Sequence, residues 1–530
     1  MSANKGHNSG INTRLAHAGH DPRSFHGFVQ PPVVHASTVL FPDSATMVNR
    51  AQKYTYGTRG TPTSDALGDA INALEGSAGT ICVPSGLAAV TVPLLAFLSA
   101  GDHLLVVDSV YNPTRRFADT MLKRLGVETE YYDPEIGAGI EALMRPNTKV
   151  VWTESPGSNT FEMQDIPAIA AVAHARGAVV MMDNTWATPV YFRPLDFGVD
   201  ISVHAATKYP GGHSDVLLGT VSANERCWEQ LHDGFITLGT CAGPDDVYMV
   251  QRGLKTMGIR LERHQQSALH LAQWLEGQSG VKDVLHPALP SFPGHELWKR
   301  DFSGASGLFS IVLDGGGAAK AHAFLDALSI FGLGYSWGGH ESLAVHVWLG
   351  DRTVSRKDYG GPVIRLQVGL EDVADLKAFL DTLPVSDTPS LPHELGFPFT
   401  VRRGLGLWKL LFLDDSWVRP AEGVEAERGR YLVEALGHCG ECHTPRNALG
   451  ALDRTRWLQG AANPSGQGRI PAIDAANLNW SAEDIAYYLE TGFTPEYDSA
   501  GGEMAQVVKN MSHLTPEDRA AIATYVKSVP

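Results

Sequence analysis

Cysteine is scarce in this chain, with five thiols (Cys82, Cys227, Cys241, Cys439 and Cys442) among 530 residues. That is too few for a disulfide framework at this size, and the first three read as reduced cytosolic thiols. Long apolar runs are missing too: no stretch of about eighteen consecutive apolar residues occurs, so no membrane span is expected. The opening Met1-Ser2-Ala3-Asn4-Lys5-Gly6-His7-Asn8-Ser9-Gly10 is polar, and no apolar core of export-signal length follows it; a cytoplasmic location is the expectation. Positive charge is in deficit, 42 Lys and Arg against 58 Asp and Glu for a net charge of -16. Nucleic acid and anionic membrane need clustered cations, so neither is expected as a partner. What remains is a globular composition, 43% hydrophobic and 19% charged, and a length that suggests roughly three or four structural units.

Residues 1–63 are rich in Pro, His and Gly, end in Tyr54-Thr55-Tyr56-Gly57-Thr58-Arg59-Gly60-Thr61-Pro62-Thr63, and read as an extended N-terminal arm. From 64 to 255, short apolar runs (His103 to Asp108, Lys149 to Thr153, Ala178 to Met182, Ile201 to Val203) alternate with amphipathic stretches. That alternation predicts a mostly parallel sheet covered by helices. From 256 to 385 a long helical stretch and two further strands, Gly307 to Leu313 and Val363 to Val368, predict a smaller α/β domain. Pro384 to Pro398 holds four prolines and opens a connector over 386–420; an all-α unit is expected over 421–530. There, Ser481 and Thr515 are predicted helix caps, each with a carboxylate three residues on (Asp484, Asp518), and Ile522, Tyr525 and Val526 make one apolar face.

Asp183 directly follows the strand-like Val179-Val180-Met181-Met182, which places a carboxylate at the carboxyl end of a buried strand, where open α/β sheets bind ligands. Lys208 ends the next strand-like unit, His204-Ala205-Ala206-Thr207-Lys208. An electron-sink cofactor such as pyridoxal phosphate needs a lysine to hold its aldehyde, a carboxylate to keep its ring nitrogen protonated, and donors for its phosphate.

Six further stretches carry a resemblance. Pro84-Ser85-Gly86-Leu87-Ala88-Ala89-Val90, Glu154-Ser155-Pro156-Gly157-Ser158, Asp183-Asn184-Thr185-Trp186-Ala187, Ala206-Thr207-Lys208-Tyr209, Tyr335-Ser336-Trp337-Gly338-Gly339 and Ile364-Arg365-Leu366-Gln367-Val368-Gly369-Leu370-Glu371 follow one another in family order. Over about 11–383 the chain resembles the pyridoxal-phosphate enzymes of cysteine and methionine metabolism, most closely their cystathionine β-lyase branch. The resemblance implies a fold-type-I large domain, a small C-terminal α/β domain, and a homotetramer whose sites borrow the arm of a neighbouring subunit. It implies Lys208 as the aldehyde-binding lysine and base, Asp183 as partner of the ring nitrogen, and Tyr111 as the aromatic ring over the cofactor. Gly86 and Leu87 amides with Thr207 resemble the phosphate cradle, with Thr185 beside Asp183, while Tyr56 resembles the phosphate ligand sent from the adjacent subunit, and Arg59 stands as the substitute for an arginine the pattern has one position earlier. Arg365 resembles the clamp on the substrate carboxylate, a role suited to a planar bidentate fork, with Ser336 and Trp337 in the substrate site. Two positions depart from the pattern: Thr58 stands where an arginine is common, and Ala205 where serine is frequent. The implied reaction is β-elimination from a sulfur amino acid, cystathionine going to homocysteine, pyruvate and ammonia. The γ-acting relatives share nearly all these residues, and the Tyr-Ser-Trp-Gly-Gly string favours the β-lyases over them.

Cys439-Gly440-Glu441-Cys442-His443 spells C-x-x-C-H, the attachment pattern for covalent c-type haem, in which two thiols one helical turn apart hold the porphyrin and the histidine reaches the iron. A thiol pair for zinc or redox work shares the first four positions. Residues 386–530 resemble the last part of a multihaem bacterial cytochrome c, through Gly429-Arg430-Tyr431-Leu432-Val433-Glu434, Thr444-Pro445-Arg446-Asn447, Trp480 with Asp484-Ile485, and Gly502-Glu503-Met504-Ala505. That resemblance implies a covalent haem on Cys439 and Cys442, iron held by His443 and Met504 with Met511 as the alternative, and a redox partner. Phe397 to Leu413 resembles the connector that follows a preceding haem domain in such proteins.

Overall fold

The computed structural model describes residues 9–19, 21–381, 412, 414, 416–447, 449–463, 468–501 and 503–530. It divides into two compact units, Met1–Leu391 and Pro392–Pro530. Most of the connector expected over 386–420, Trp408 included, lies outside the described residues, as does Gly502.

The first unit is built on a seven-stranded sheet of β1 (Gly79–Val83), β2 (His103–Val107), β3 (Glu128–Tyr132), β4 (Thr148–Glu154), β5 (Val179–Asp183), β6 (Ile201–His204) and β7 (Gly219–Ala223). The spatial order is β1-β7-β6-β5-β4-β2-β3. Strands β6, β5, β4, β2 and β3 run parallel, and β7 is antiparallel to both β1 and β6. Strand β2 is buried along its whole length and β4 at every residue but one. Strands covered on both faces carry continuous apolar runs, which is why these were legible as strands. The helix Gly86–Phe97 starts on Ser85, whose hydroxyl accepts the Ala88 N–H at 3.1 Å.

A second sheet of β8 (Val281–Leu285), β9 (Leu308–Leu313), β10 (Gly332–Leu333), β11 (Leu343–His346) and β12 (Val363–Gln367) has the order β10-β11-β12-β9-β8. Its core includes Phe309, Ile311, Ile364 and Leu366. The 32-residue helix Pro244–Leu275 links the two sheets and runs straight through the boundary expected at 255/256, so the chain does not pause there. The arm expected over 1–63 is not extended throughout. Helix Ile11–His17 buries Leu15 in a core with Leu254 and Met257, and the helix Pro62–Glu75 has already begun by residue 63. Between them the arm folds back on itself: Thr38 and Tyr56 form a β-bridge, and Gly57 N–H donates to Ser37 O at 2.8 Å.

In the second unit, helices Val424–Arg430, Cys439–His443, Ala482–Thr491, Glu503–Met511 and Pro516–Ser528 surround a core of Leu432, Val433, Trp457, Ile485, Ile522, Tyr525 and Val526. Ser481 and Thr515 cap their helices as expected, Ser481 in a reciprocal box with Asp484. A cap of this kind contributes about 1 kcal/mol. The expected all-α character is interrupted by one two-residue ladder, Ala461–Ala462 against Arg469–Ile470. Among the described residues no helix is long and apolar enough to cross a membrane.

Candidate active site

Parallel strands deliver their chemistry at their carboxyl ends. Strand β5 ends on Asp183, β4 on Glu154, and β6 leads through Ala205 to Thr207 into Lys208. Asp183 Oδ1 accepts the Thr185 N–H at 3.0 Å and the Thr185 hydroxyl at 2.5 Å, and the Thr185 oxygen in turn accepts Ala205 N–H at 2.9 Å. Oδ2 takes no hydrogen bond among the described residues. Burial pushes the Asp183 pKa up, partly offset by the Thr185 donors and the nearby His204 and Lys208.

Lys208 Nζ donates to Ser336 Oγ at 2.6 Å and lies 5.4 Å from the centre of the Trp337 ring. Burial and the Arg365 charge lower its pKa to about 8. Trp337 leans on Tyr209 with ring centroids 5.6 Å apart. The turn that presents Ser336 is tight. Ser336 holds φ +87°, and a side chain on Gly338 (φ +81°) would fall 2.9 Å from Tyr209 N and 3.1 Å from Lys208 C, so glycine is required there. A left-handed serine costs on the order of 1–3 kcal/mol and persists where surroundings over-determine it.

Arg365 projects from β12, with NH1 donating to Asn159 Oδ1 at 3.2 Å and NH2 to Ser336 O at 3.3 Å. Burial lowers its pKa to about 10. No carboxylate pairs with it among the described residues, so a partly buried guanidinium is left to be satisfied by an anion. Asn159 sits in a left-handed turn (φ +68°) held by Arg352, whose NH2 donates to Ser158 O at 3.0 Å and Thr160 Oγ1 at 2.9 Å.

The helix Gly86–Phe97 points its N-terminus at this group. A Cβ on Gly86 would lie 2.5 Å from the Ala205 Cβ, so only glycine lets the helix approach the segment leading to Lys208. The Ser85 hydroxyl satisfies Ala88 N–H, which leaves the Gly86 and Leu87 amides for an anion. Thr207 Oγ1 accepts Leu218 N–H at 3.0 Å and donates to Leu218 O at 3.2 Å. Tyr111 N-caps the helix Asn112–Phe117; its N–H donates to Glu154 Oε2 at 2.8 Å. Tyr56 and Arg59 line a cavity of about 590 Å³ with Lys53, Asp65 and Asp69, and neither Lys208, Asp183 nor Arg365 is among its walls.

The donor set fits pyridoxal phosphate. A desolvated amine suits an aldehyde, the unpartnered Asp183 oxygen suits a ring N–H⁺, and free amides at a helix N-terminus suit a phosphate. Three residues of this cleft escaped the reading of the sequence: Asn159, Glu154 as a partner of Tyr111, and Arg352. Glu154 and Asn159 flank or belong to the quoted Glu-Ser-Pro-Gly-Ser stretch, the signal that could have found them.

In the second unit, Cys439 and Cys442 are free thiols on Cys439–His443, Cys442 exposed and Cys439 partly so. Burial raises the Cys439 thiol pKa to about 11. His443 Nδ1 lies 2.8 Å from Pro471 O, so Nδ1 carries the proton and Nε2 is the basic nitrogen. No group of three or more His, Cys, Asp or Glu that could hold a metal occurs among the described residues. Met504 and Met511, on the helix Glu503–Met511, both pack on the core of this unit. A Cβ on Gly437 would meet Met511 Cε at 3.3 Å and Cys439 Sγ at 3.4 Å, which places Met511 beside Cys439.

Residues 12–382 match the model of the family described as Cys/Met metabolism PLP-dependent enzyme. A Rhizobium johnstonii protein named "Putative cystathionine beta-lyase" is 72% identical over 378 residues, 71% of this chain and 96% of its own length. Escherichia coli cystathionine beta-lyase MetC is 44% identical over 385 residues, 70% of this chain and 97% of its own length. An L-alanine/L-glutamate racemase of Wolbachia pipientis is 40% identical over 395 residues, 71% of this chain and 98% of its own length. The crystal structure of metB from Corynebacterium glutamicum superposes with a TM-score of 0.67 at 31% identity, covering 71% of this chain and 98% of that one. This chain belongs to the Cys/Met metabolism family of pyridoxal-phosphate-dependent enzymes.

Proposed function

We propose that the first unit is a carbon–sulfur β-lyase that cleaves L-cystathionine to homocysteine, pyruvate and ammonia, with cystine and cysteine as related substrates. The observation that carries the reading is the convergence of a lysine amine with its pKa near 8, a guanidinium that has no carboxylate partner among the described residues, and a carboxylate with one oxygen that accepts no hydrogen bond there.

Asp183, Lys208, Tyr111, Thr185, Thr207 and the Gly86 and Leu87 amides would hold pyridoxal phosphate. When bound, it supplies a sink for the electron pair left at the substrate Cα. Arg365 binds the substrate carboxylate and orients Cα, with Asn159 and the Ser336 carbonyl fixing the plane of the fork. Lys208 takes the α-proton at Nζ as a neutral amine, since its lowered pKa leaves a usable unprotonated fraction near neutrality. Ser336 Oγ accepts from that amine and holds it at the substrate; Trp337 screens it from water. The Cβ–S bond breaks, sulfur leaves as the thiol carrying the proton that Lys208 Nζ took from Cα, and water hydrolyses the released enamine to pyruvate and ammonia.

Tyr56 and Arg59 complete the phosphate site of a neighbouring subunit in a homotetramer; their place in a cavity whose walls include neither Lys208 nor Asp183 supports this. The deciding experiment incubates the purified holoenzyme with cystathionine and identifies the products. Pyruvate with homocysteine is expected, and Lys208→Ala must abolish them in a folded protein. 2-Oxobutyrate with cysteine would make it a γ-lyase instead, and racemisation of L-alanine in a parallel incubation a racemase.

For the second unit we propose a c-type haem site, with Cys439 and Cys442 as thioether attachments and His443 Nε2 on the iron. The support is the fixed His443 ring and the two free thiols. A further iron ligand would come from the helix Glu503–Met511, Met504 by the sequence resemblance or Met511 by its place beside Cys439. Held by these residues, a haem would supply one-electron redox chemistry toward a redox partner. Expression alongside a haem-ligation system should give a haem-staining band that survives denaturing electrophoresis and disappears in Cys439→Ala/Cys442→Ala; colourless protein with two alkylatable thiols would overturn the proposal.

A further inference from the structure

Glu154 has no role in the scheme above, yet it stands at its centre. It is paired in register with Asp183 across the parallel strands β4 and β5, so the two side chains leave the same face of the sheet at adjacent strand ends. Glu154 is 9% exposed and accepts the Tyr111 backbone N–H through Oε2 at 2.8 Å.

That bond falls where Tyr111 has no other restraint on its N–H. As the N-cap of Asn112–Phe117 (φ -51°, ψ 128°), Tyr111 already uses its carbonyl to receive Thr114 N–H at 2.9 Å and Arg115 N–H at 3.2 Å. Its N–H, outside the helix, has only Glu154. The Tyr111 hydroxyl has no hydrogen-bond partner among the described residues, and the side chain is 46% exposed. The ring is therefore aimed by its backbone alone. From this geometry we infer that Glu154 is a positioning residue, one that fixes the Tyr111 ring over the cofactor by accepting its N–H and that does so as an uncharged carboxyl group.

The neutral state follows from the neighbour. The two Thr185 donors favour the charged form of Asp183, Glu154 has one backbone donor, and two carboxylates side by side away from water do not both ionise. Burial and the Asp183 charge push Glu154 well above the usual carboxylate range. An amide oxygen can accept the same N–H, so charge is dispensable and reach is not.

The inference rests on the cleft being a pyridoxal phosphate site, and it is tested on the full chain with E154Q, E154D and E154A. Equilibrium dialysis of pyridoxal phosphate reads cofactor retention without turnover, so it stays interpretable if cystathionine proves not to be the substrate. Steady-state kinetics then separate kcat from KM. E154Q should stay within about threefold of the parent in both cofactor affinity and kcat. E154D, one methylene short, and E154A should each lose about tenfold or more in cofactor affinity and in kcat, with KM little changed because Arg365 is untouched. Thermal melting of the E154D apoprotein within a few degrees of the parent keeps the comparison meaningful if E154A fails to fold. A Glu154→Gln variant as impaired as Glu154→Asp, or a Glu154→Asp variant that binds cofactor like the parent, would overturn the inference.

Discussion

Asp108 offers the sharpest test of how the small domain is held against the cofactor cleft. It lies just past the end of β2, three residues before Tyr111, and is fully buried. Its Oδ2 accepts the N–H groups of Val354 at 2.8 Å and Ser355 at 2.7 Å, while Oδ1 takes Arg115 NH2 at 2.6 Å and Thr353 N–H at 3.0 Å. One carboxylate thus ties the 353–355 loop to the start of the segment that carries Tyr111. In Asp108→Asn the amide oxygen can serve Oδ1's partners or Oδ2's, but its NH2 group then opposes the other set. Two charge-assisted hydrogen bonds are lost, each worth about 1.5–3 kcal/mol, so a local cost of ~3 kcal/mol is expected. Native-state hydrogen exchange read by mass spectrometry on a peptide spanning 349–360 should show the Val354 and Ser355 amides exchanging about 100-fold faster. Burial raises the Asp108 pKa, but the Ser355, Thr353 and Val354 N–H groups and Arg115 outweigh it and hold the carboxyl well below the usual range. A depressed folded pKa means the clamp is fully present above the unfolded value of about 3.9 and weakens as pH falls below it. The variant should lack that acid sensitivity. Exchange within threefold of the parent at neutral pH would refute the clamp.

Lys208, with a pKa near 8, must lose a proton before it can attack an aldehyde. The rate at which the apoenzyme captures pyridoxal phosphate should therefore rise through pH 8 and level off above it; a midpoint above pH 10, read by stopped-flow absorbance, would deny the desolvation argument. If Arg365 binds the substrate carboxylate, Arg365→Ala should raise KM about 100-fold, a loss of about 3 kcal/mol, with less effect on kcat. Steady-state kinetics showing the reverse would move the carboxylate site elsewhere. Tyr56→Ala and Lys208→Ala subunits, each inactive alone, should regain about a quarter of parental activity when refolded together at equal ratio, because a shared dimer then contains one intact site. No recovery would place Tyr56 in its own chain's site. Deleting 386–530 should leave lyase activity intact, since Lys208, Asp183, Arg365 and Tyr56 all precede the cut; loss of turnover in the truncated protein would tie the second unit to the chemistry.

The sequence was most informative where one chain segment decides the outcome alone. Strands β2, β4, β5 and β6 carry apolar runs because both their faces are covered, and the Ser481 and Thr515 helices announce themselves through caps that bond within four residues. Four of the strands that went unread have local reasons. Strands β1 (Gly-Thr-Ile-Cys-Val) and β7 (Gly-Thr-Val-Ser-Ala) pair antiparallel with small polar residues between apolar ones. Strand β3 is an edge with four of its five positions at least partly exposed, and β10 is two residues long. The same divide runs through the active site. Lys208, Asp183 and Arg365 sit in family stretches that can be read one by one. Asn159 matters only because Arg365 arrives from a strand 206 residues later, and Asp108 only because the 353–355 loop crosses to it. Contacts of that separation leave no periodicity in either partner.

The cleft has a common electrostatic logic that neither stretch of sequence displays by itself. Withdrawal from water moves Lys208 and Arg365 down and Asp183 up, so each of the three groups is pushed toward its uncharged form. Each of them would be restored by a ligand group of the complementary kind: a carboxylate for Arg365, a ring cation for Asp183, a covalent partner for Lys208. A site arranged this way is under-satisfied on its own and strengthened by everything it binds, since any molecule that supplies those charges recovers the desolvation already incurred in folding. Cofactor and folded state are therefore linked: whatever binds the native cleft and not the unfolded chain raises stability as its concentration passes its dissociation constant. By the same reasoning the Gly86 helix terminus and the Glu154–Tyr111 bond have parallel tasks. One leaves donors open for an anion, the other closes a backbone donor so that an aromatic ring keeps its place, and both hold their geometry before any ligand arrives.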